Sequence, residues 1–184
     1  MSKKNETKHD IRIIKTQAAL SAALLTLLEK TAFQKITVND ICTRAMVSRA
    51  TFYTHFEDKY HLLRFSLKRL KFQMEEQIEC DDYQQMITLL IINIEKRAKM
   101  FRNLLLNELD YELMKMLNDL TLKDFINEME KRINTEELTV PLPVQASFYT
   151  GGMSSLLLHW IDGTITATTE EMTQYFLKFN EWLQ

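Results

Sequence analysis

Apolar residues recur three, four or seven positions apart along almost the whole chain, the spacing that gathers them onto one face of an α-helix. Ile14, Ala18, Leu25 and Leu28 set the pattern near the N-terminus. The apolar/polar alternation of a half-buried strand is not found, nor is an internal repeat or a low-complexity tract. Three glycines and two prolines in 184 residues are too few to turn the hairpins of a β-rich fold. The expected fold class is all-α.

Helix-start signals divide the chain. The first helix is expected from about Asp10 to Thr31. Thr37 is a candidate N-cap with Asp40 three residues on, Ser48 is a second cap eleven residues later, and Asp58 is a third. Asp58 opens a long helix from Lys59 to about Glu79, so two short helices fall between two long ones. Cys80-Asp81-Asp82 marks a break and the expected domain boundary. Further helices are expected over Tyr83–Ala98, Lys99–Asn107, Leu109–Arg132, Val144–Asp162 and Thr169–Leu183, with a loop at Asn134–Pro143 that holds both prolines. Residues 1–70 then form one domain, whose fourth helix runs on to about 80, and residues 81–184 form a second.

The charges follow the same division. The formal net charge of −2 conceals 14 Lys and Arg against 6 Asp and Glu in residues 1–71, and 9 against 19 in residues 72–184. A segment of net +8 joined to one of net −10 is the asymmetry expected when one end of a chain meets nucleic acid and the other does not.

Several functions are excluded by motif. The chain has no P-loop, GxGxxG or HExxH sequence, and Gly-Gly-Met-Ser-Ser at 151–155 is not the GxSxG nucleophile elbow. The histidines at 9, 55, 61 and 159 make no ligand-spaced pair, and Cys42 and Cys80 make no CxxC. No catalytic residue, metal site or cofactor is expected. Met1–Asp10 is polar and charged, unlike a secretory signal, and the most apolar stretches, Leu20–Leu28 and Met86–Ile94, are nine residues long against the roughly 20 of a membrane span. With two reduced thiols, the expectation is a cytoplasmic protein without a membrane partner.

The two short helices, Val38–Arg44 and Ser48–Thr54, joined through Ala45-Met46-Val47, describe a helix-turn-helix. A helix fits the major groove, its N-terminus offers free N–H groups to phosphate, and neighbouring cations fix its register. Arg49, Thr51, Tyr53 and His55 alternate here with apolar Phe52 and Phe56, and Lys59 begins the next helix.

The stretch ITVNDICTRAMVSRATFYTHFEDKYHLL, Ile36 to Leu63, resembles the DNA-binding signature of TetR-type (tetracycline-repressor-like) regulators. Thr37-Val38, Asp40-Ile41, Ala45, Val47-Ser48, Thr51-Phe52-Tyr53, His55-Phe56, Lys59 and Leu62-Leu63 carry the match, with Ala18-Ala19 and Phe33 upstream. The resemblance spans about residues 10–70 and is only architectural beyond residue 80. It implies that Tyr53 and His55 donate to phosphates, that Lys59 adds charge, and that Thr37 caps its helix while facing the DNA backbone. Arg49, Ala50 and Thr51 stand where the family reads base edges, and Asn39 is a further base-contact candidate. Arg can bond bidentately to guanine, and Ala50 or Thr51 can touch a thymine methyl. Arg44, Lys3, Lys4 and Lys8 would add nonspecific attraction. The same side chains also fit plainer roles: Tyr53 half-buried, Arg49 solvated, His55 packed on Phe56. Met46 departs from the pattern. The family commonly has Gly there, and a side chain on a left-handed backbone costs about 1–2 kcal/mol.

For the acidic part, the resemblance implies dimerisation and effector binding. Val144–Asp162 carries Gly151 beside Gly152, and each glycine within a helix costs about 1 kcal/mol unless another backbone must come close. By resemblance this helix meets its twin and the last helix in a four-helix interface that includes Gly151, Gly152, Ser155, Leu156, His159 and Trp160; an ordinary kinked core helix is the alternative. Candidate pocket residues are Met86, Leu90, Met100, Phe101 and Leu104, then Met114, Leu117, Phe125 and Phe148. Ten methionines suit an adaptable apolar site, and the same spacing suits plain core. The resemblance therefore implies a homodimer on a palindromic double-stranded DNA operator, acting as a repressor released by a small molecule. An activator, or a member controlled by a protein effector, fits the same residues. A helical interaction module without DNA binding is the competing class.

Overall fold

The computed structural model describes residues 3–76, 83–105, 111–132 and 138–181. Among these, nine α-helices and one 3-10 turn form, and no strand. The chain divides into two compact units, residues 1–77 with 99–107, and residues 78–98 with 108–184. The expected boundary at Cys80-Asp81-Asp82 lies outside the described residues.

The first unit is built on α1, Lys3–Leu28, which packs against α2 (Val38–Ala45), α3 (Arg49–His55) and α4 (Lys59–Glu75). Leu20, Leu24 and Leu28, four residues apart, are completely buried, as are Phe33, Ile41, Phe52, Leu62 and Leu63. Each such side chain contributes roughly 1.5–3 kcal/mol by leaving water. Two features of α1 differ from expectation. It starts at Lys3 rather than Asp10, since residues 3–9 hold no glycine or proline to stop it. Its apolar stretch is also longer: Ile11–Leu28 is an 18-residue window of mean hydropathy 1.4, enough by length and composition to cross a membrane. A core helix passes the same test, and here the Leu20–Leu24–Leu28 stripe lies in the unit's interior.

A short helix α6, Ala98–Leu105, belongs mostly to this unit. The Asn103 Nδ2 donates to Leu28 O at 2.8 Å, satisfying a carbonyl at the end of α1 that has no helical partner.

In the second unit, α5 (Tyr83–Lys96) packs on α9 (Thr169–Glu181), and α7 (Tyr111–Arg132) on α8 (Leu142–Asp162). Ile87 and Ile91 of α5 and Met172 and Phe176 of α9 form a buried cluster, against which Met153, Leu156, Leu157 and Trp160 of α8 pack. Phe125 stacks on Tyr149 with ring centroids 4.7 Å apart. Helix α8 starts within the stretch read as loop, because Pro143 occupies its first turn, where no N–H is needed. It ends at Gly163, whose φ of 89° is open to glycine at little cost. Thr168 and Glu171 then cap α9 reciprocally, the Thr168 N–H donating to Glu171 Oε2 at 2.8 Å and the Glu171 N–H to Thr168 Oγ1 at 3.1 Å.

Candidate nucleic-acid interface

The helix-turn-helix is assembled by local hydrogen bonds. Thr37 Oγ1 accepts from the Asp40 N–H at 3.1 Å, and Asp40 Oδ2 accepts from the Thr37 N–H at 2.9 Å, a complete capping box for α2. The Thr37 hydroxyl, donating to Asp40 Oδ2 at 2.6 Å, and then the Thr37 amide hold the Asp40 carboxyl below its usual range. Helix α2 stops at Met46, whose φ of 54° and ψ of 41° put it in the left-handed region, the sole such non-glycine residue among those described. The turn is the one glycine would make, carried by a methionine whose side chain is 93% exposed. Ser48 Oγ then accepts from the Thr51 N–H at 3.1 Å and starts α3.

Helix α3 has two faces. Phe52 is completely buried, and Phe56 just beyond the helix is nearly so, their rings 5.9 Å apart. Arg49, Ala50, Tyr53 and Thr54 face solvent, with Tyr53 51% exposed and its ring edge-on to Phe52 at 5.3 Å. Thr51 and His55 are half-buried. The Thr51 hydroxyl lies 2.8 Å from that of Ser48, and the His55 ring is 6.4 Å from that of Phe56. Thr37 and Asn39 at the start of α2 are exposed as well. The polar side chains expected at the interface thus share one unit and reach its surface wholly or in part. Thr54 was missed. It lies four positions after Ala50 and five after Arg49, so the helical period alone could have placed it on the exposed side.

Lys59 is held from within the unit. Its Nζ donates to Phe33 O at 2.9 Å, Gln34 O at 3.1 Å and Ile36 O at 3.0 Å, so the ammonium's three N–H groups are matched to carbonyls of the turn before α2. It also lies 4.7 Å from the Phe33 ring centroid. The part-buried amine is thus engaged by the chain's own backbone.

Cys42 is a buried residue of α2, and burial pushes its thiol up against the opposing pull of the Arg49 guanidinium. An open groove of about 890 Å³ runs along α1 and α2, lined by Ala19, Ala22, Thr26, Asp40, Arg44 and Met46 among others.

The residues expected in a pocket divide between the two units. Met100, Phe101 and Leu104 belong to the first unit, where Met100 and Leu104 are core. Phe148 is 88% exposed on α8, because its position faces away from the Ile87–Phe176 cluster. Met86, Leu90, Met114, Leu117 and Phe125 remain as half-buried residues of the second unit. Among the expected interface residues of α8, Gly151, Gly152, Ser155 and His159 are exposed, and a Cβ added at either glycine would meet nothing within 4 Å. Leu156 and Trp160 instead turn inward onto the buried cluster, the Trp160 Nε1–H donating to Ala167 O at 2.9 Å.

A helix-turn-helix with its recognition-type helix exposed, carried on an all-α chain, defines a class of transcriptional regulator. Family comparison narrows the class. Residues 20–64 match the model of "Bacterial regulatory proteins, tetR family", and residues 81–181 match that of a "Transcriptional regulator C-terminal region". The chain belongs to the TetR family of transcriptional regulators, which are not enzymes.

Among individual proteins, the chain is 37% identical over 68 residues to the uncharacterized HTH-type transcriptional regulator YxbF of Bacillus subtilis (strain 168), a match covering 36% of this chain and 18% of that protein. It resembles in fold a TetR transcriptional regulator from Streptococcus agalactiae 2603V, with 24% identity, a TM-score of 0.66, and coverage of 95% of this chain and 98% of that one. The dihydroxyacetone kinase operon activator DhaS is similar in fold at 17% identity and a TM-score of 0.59, covering 89% of this chain and 93% of that one.

Proposed function

We propose that this chain binds a palindromic double-stranded DNA operator as a homodimer in the cytoplasm and represses transcription until a small apolar ligand releases it. Residues 1–70 read the DNA; residues 81–184 dimerise and bind the effector. The observation that carries the reading is the exposed row of α3. Arg49 and Ala50 stand in the first turn, Tyr53 one turn on, and buried Phe52 fixes the opposite face. Arg49 and Ala50, with the half-buried Thr51, read base edges, while Tyr53, His55 and the exposed start of α2 at Thr37 and Asn39 meet the backbone and neighbouring bases. The net +8 of residues 1–71 supplies sequence-independent attraction.

Homodimerisation is supported by apolar side chains that the second unit leaves in solvent. Val144 is 57% exposed and Phe148 88% on α8, and Tyr175 is 42% exposed and Phe179 54% on α9. The open space over Gly151 and Gly152 admits the backbone of a second copy. Two copies also supply the two reading helices that a palindrome needs.

Selection of bound sequences from a random duplex pool tests the proposal. The expected product is an inverted repeat, and repeating the selection with Arg49→Ala relaxes preference at one base pair per half-site, at a cost of about 1–3 kcal/mol. Failure to enrich any sequence overturns the DNA-binding reading. A second reading, activation, has the support of one fold relative named as an operon activator. Transcription in vitro from the selected operator separates the two: the proposal requires output to fall when protein is added.

A further inference from the structure

We infer that Lys59 is a positioning residue: its amine ties the start of α4 to the turn that leads into α2, and thereby fixes the stance of the helix-turn-helix on DNA. The functional half of this inference rests on the DNA-binding reading above; the structural half does not.

The argument is one of valence and place. An ammonium has three N–H groups on one atom. The three acceptors, Phe33 O, Gln34 O and Ile36 O, converge at 2.9–3.1 Å from a residue 23 to 26 positions away. They belong to the 3-10 turn Phe33–Lys35 and to Ile36, which directly precedes the N-cap Thr37 of α2. Lys59 itself is the first residue of α4, next to the N-cap Asp58. One side chain therefore joins the entry of α2 to the entry of α4 while α3 lies between them in sequence. The turn is further held by rings, because Phe33 meets Tyr60 edge-on at 5.1 Å and the Lys59 Nζ is 4.7 Å and 5.8 Å from those two ring centroids. A movement of α4 along its axis pulls the Phe33–Ile36 carbonyls with it, and with them the cap on which α2 is built.

This role separates from a phosphate contact by the behaviour of arginine. Guanidinium replaces ammonium well on a phosphate, but its planar fork cannot aim three N–H groups from a single atom at three converging carbonyls. Full-length wild type, Lys59→Met and Lys59→Arg are compared on the selected operator and on a scrambled duplex of equal length, over a range of salt, at a temperature where circular dichroism shows each folded. Both variants are expected to lose about tenfold in the ratio of operator to scrambled affinity, the scale of one mismatched base pair, with an unchanged salt slope on the scrambled duplex. The Ile36 amide, which donates to Phe33 O at 3.2 Å, should exchange its hydrogen faster in both.

Wild-type behaviour of Lys59→Arg, or a slope lowered by about 0.9 in Lys59→Met with the ratio kept, would make Lys59 a phosphate contact and overturn the inference. A lower melting temperature with ratio and slope both unchanged would reduce it to a stabilising residue and overturn it equally. If the wild type prefers no operator, the DNA-binding reading falls first. Exchange at Ile36 then decides the tether alone: faster exchange in both variants upholds it, and unchanged exchange refutes it.

Discussion

Met46 pays for a backbone shape without using its side chain. A left-handed conformation costs a non-glycine residue about 1–2 kcal/mol, and a thioether 93% exposed recovers little by packing. Met46→Gly removes that strain and adds back about 0.5–1 kcal/mol of chain entropy lost on folding, so a net gain of up to about 1.5 kcal/mol is expected. Urea unfolding monitored by circular dichroism measures it, and a loss of stability would mean that the side chain makes a contact worth more than the strain. Operator affinity should not change, since the turn is already of the type glycine would make. This position was legible in the sequence because a turn's demand is local. Lys59 was not: its acceptors lie 23 to 26 residues away, and only the folded chain brings them to its amine. A lysine at the start of a helix beside a reading helix suggests a phosphate contact, and spacing alone gives no sign of the three carbonyls that meet its amine.

Among the elements, the three caps Thr37, Ser48 and Asp58 were readable for the same reason, each bonding to a backbone N–H three residues on. The assignment of α6 was not readable, because Asn103 meets Leu28 across 75 residues and carries Met100 and Leu104 into the first unit's core. Helical spacing says that a face is apolar and is silent about which partner covers it, which is why core and pocket could not be told apart on the middle helices. The capping box of α2 also gives a pH dependence. The Thr37 hydroxyl and amide lower the folded-state pKa of Asp40, so its carboxylate stabilises the native state above the unfolded value of about 4 and ceases to do so as pH falls through the depressed folded value. Asp40→Asn, which resembles the protonated acid, should unfold at lower urea than wild type at pH 7, with the two midpoints converging as the solution is acidified below about pH 4. A gap that stays constant through that range would show the carboxylate's charge to be irrelevant to the cap.

For the whole molecule, the proposed dimer rests on side chains that the single chain leaves uncovered, and Phe148 is the most informative of them. At 88% exposure it contributes little to the fold of its own unit, so Phe148→Glu should shift thermal unfolding of the monomeric state by no more than about 0.5 kcal/mol. An aromatic side chain buried at the centre of an interface commonly carries 2 kcal/mol or more of association energy, and a carboxylate there must also be desolvated against its twin. Sedimentation equilibrium should therefore find the dimer dissociation constant raised by at least about thirtyfold, the equivalent of roughly 2 kcal/mol. The same substitution should weaken binding to the inverted repeat much more than binding to an isolated half-site, because only the former needs two coupled reading helices. Equal loss on both duplexes would point to damage within the reading unit. An unchanged dimer would move the interface away from this face of α8 and leave the paired glycines without a function.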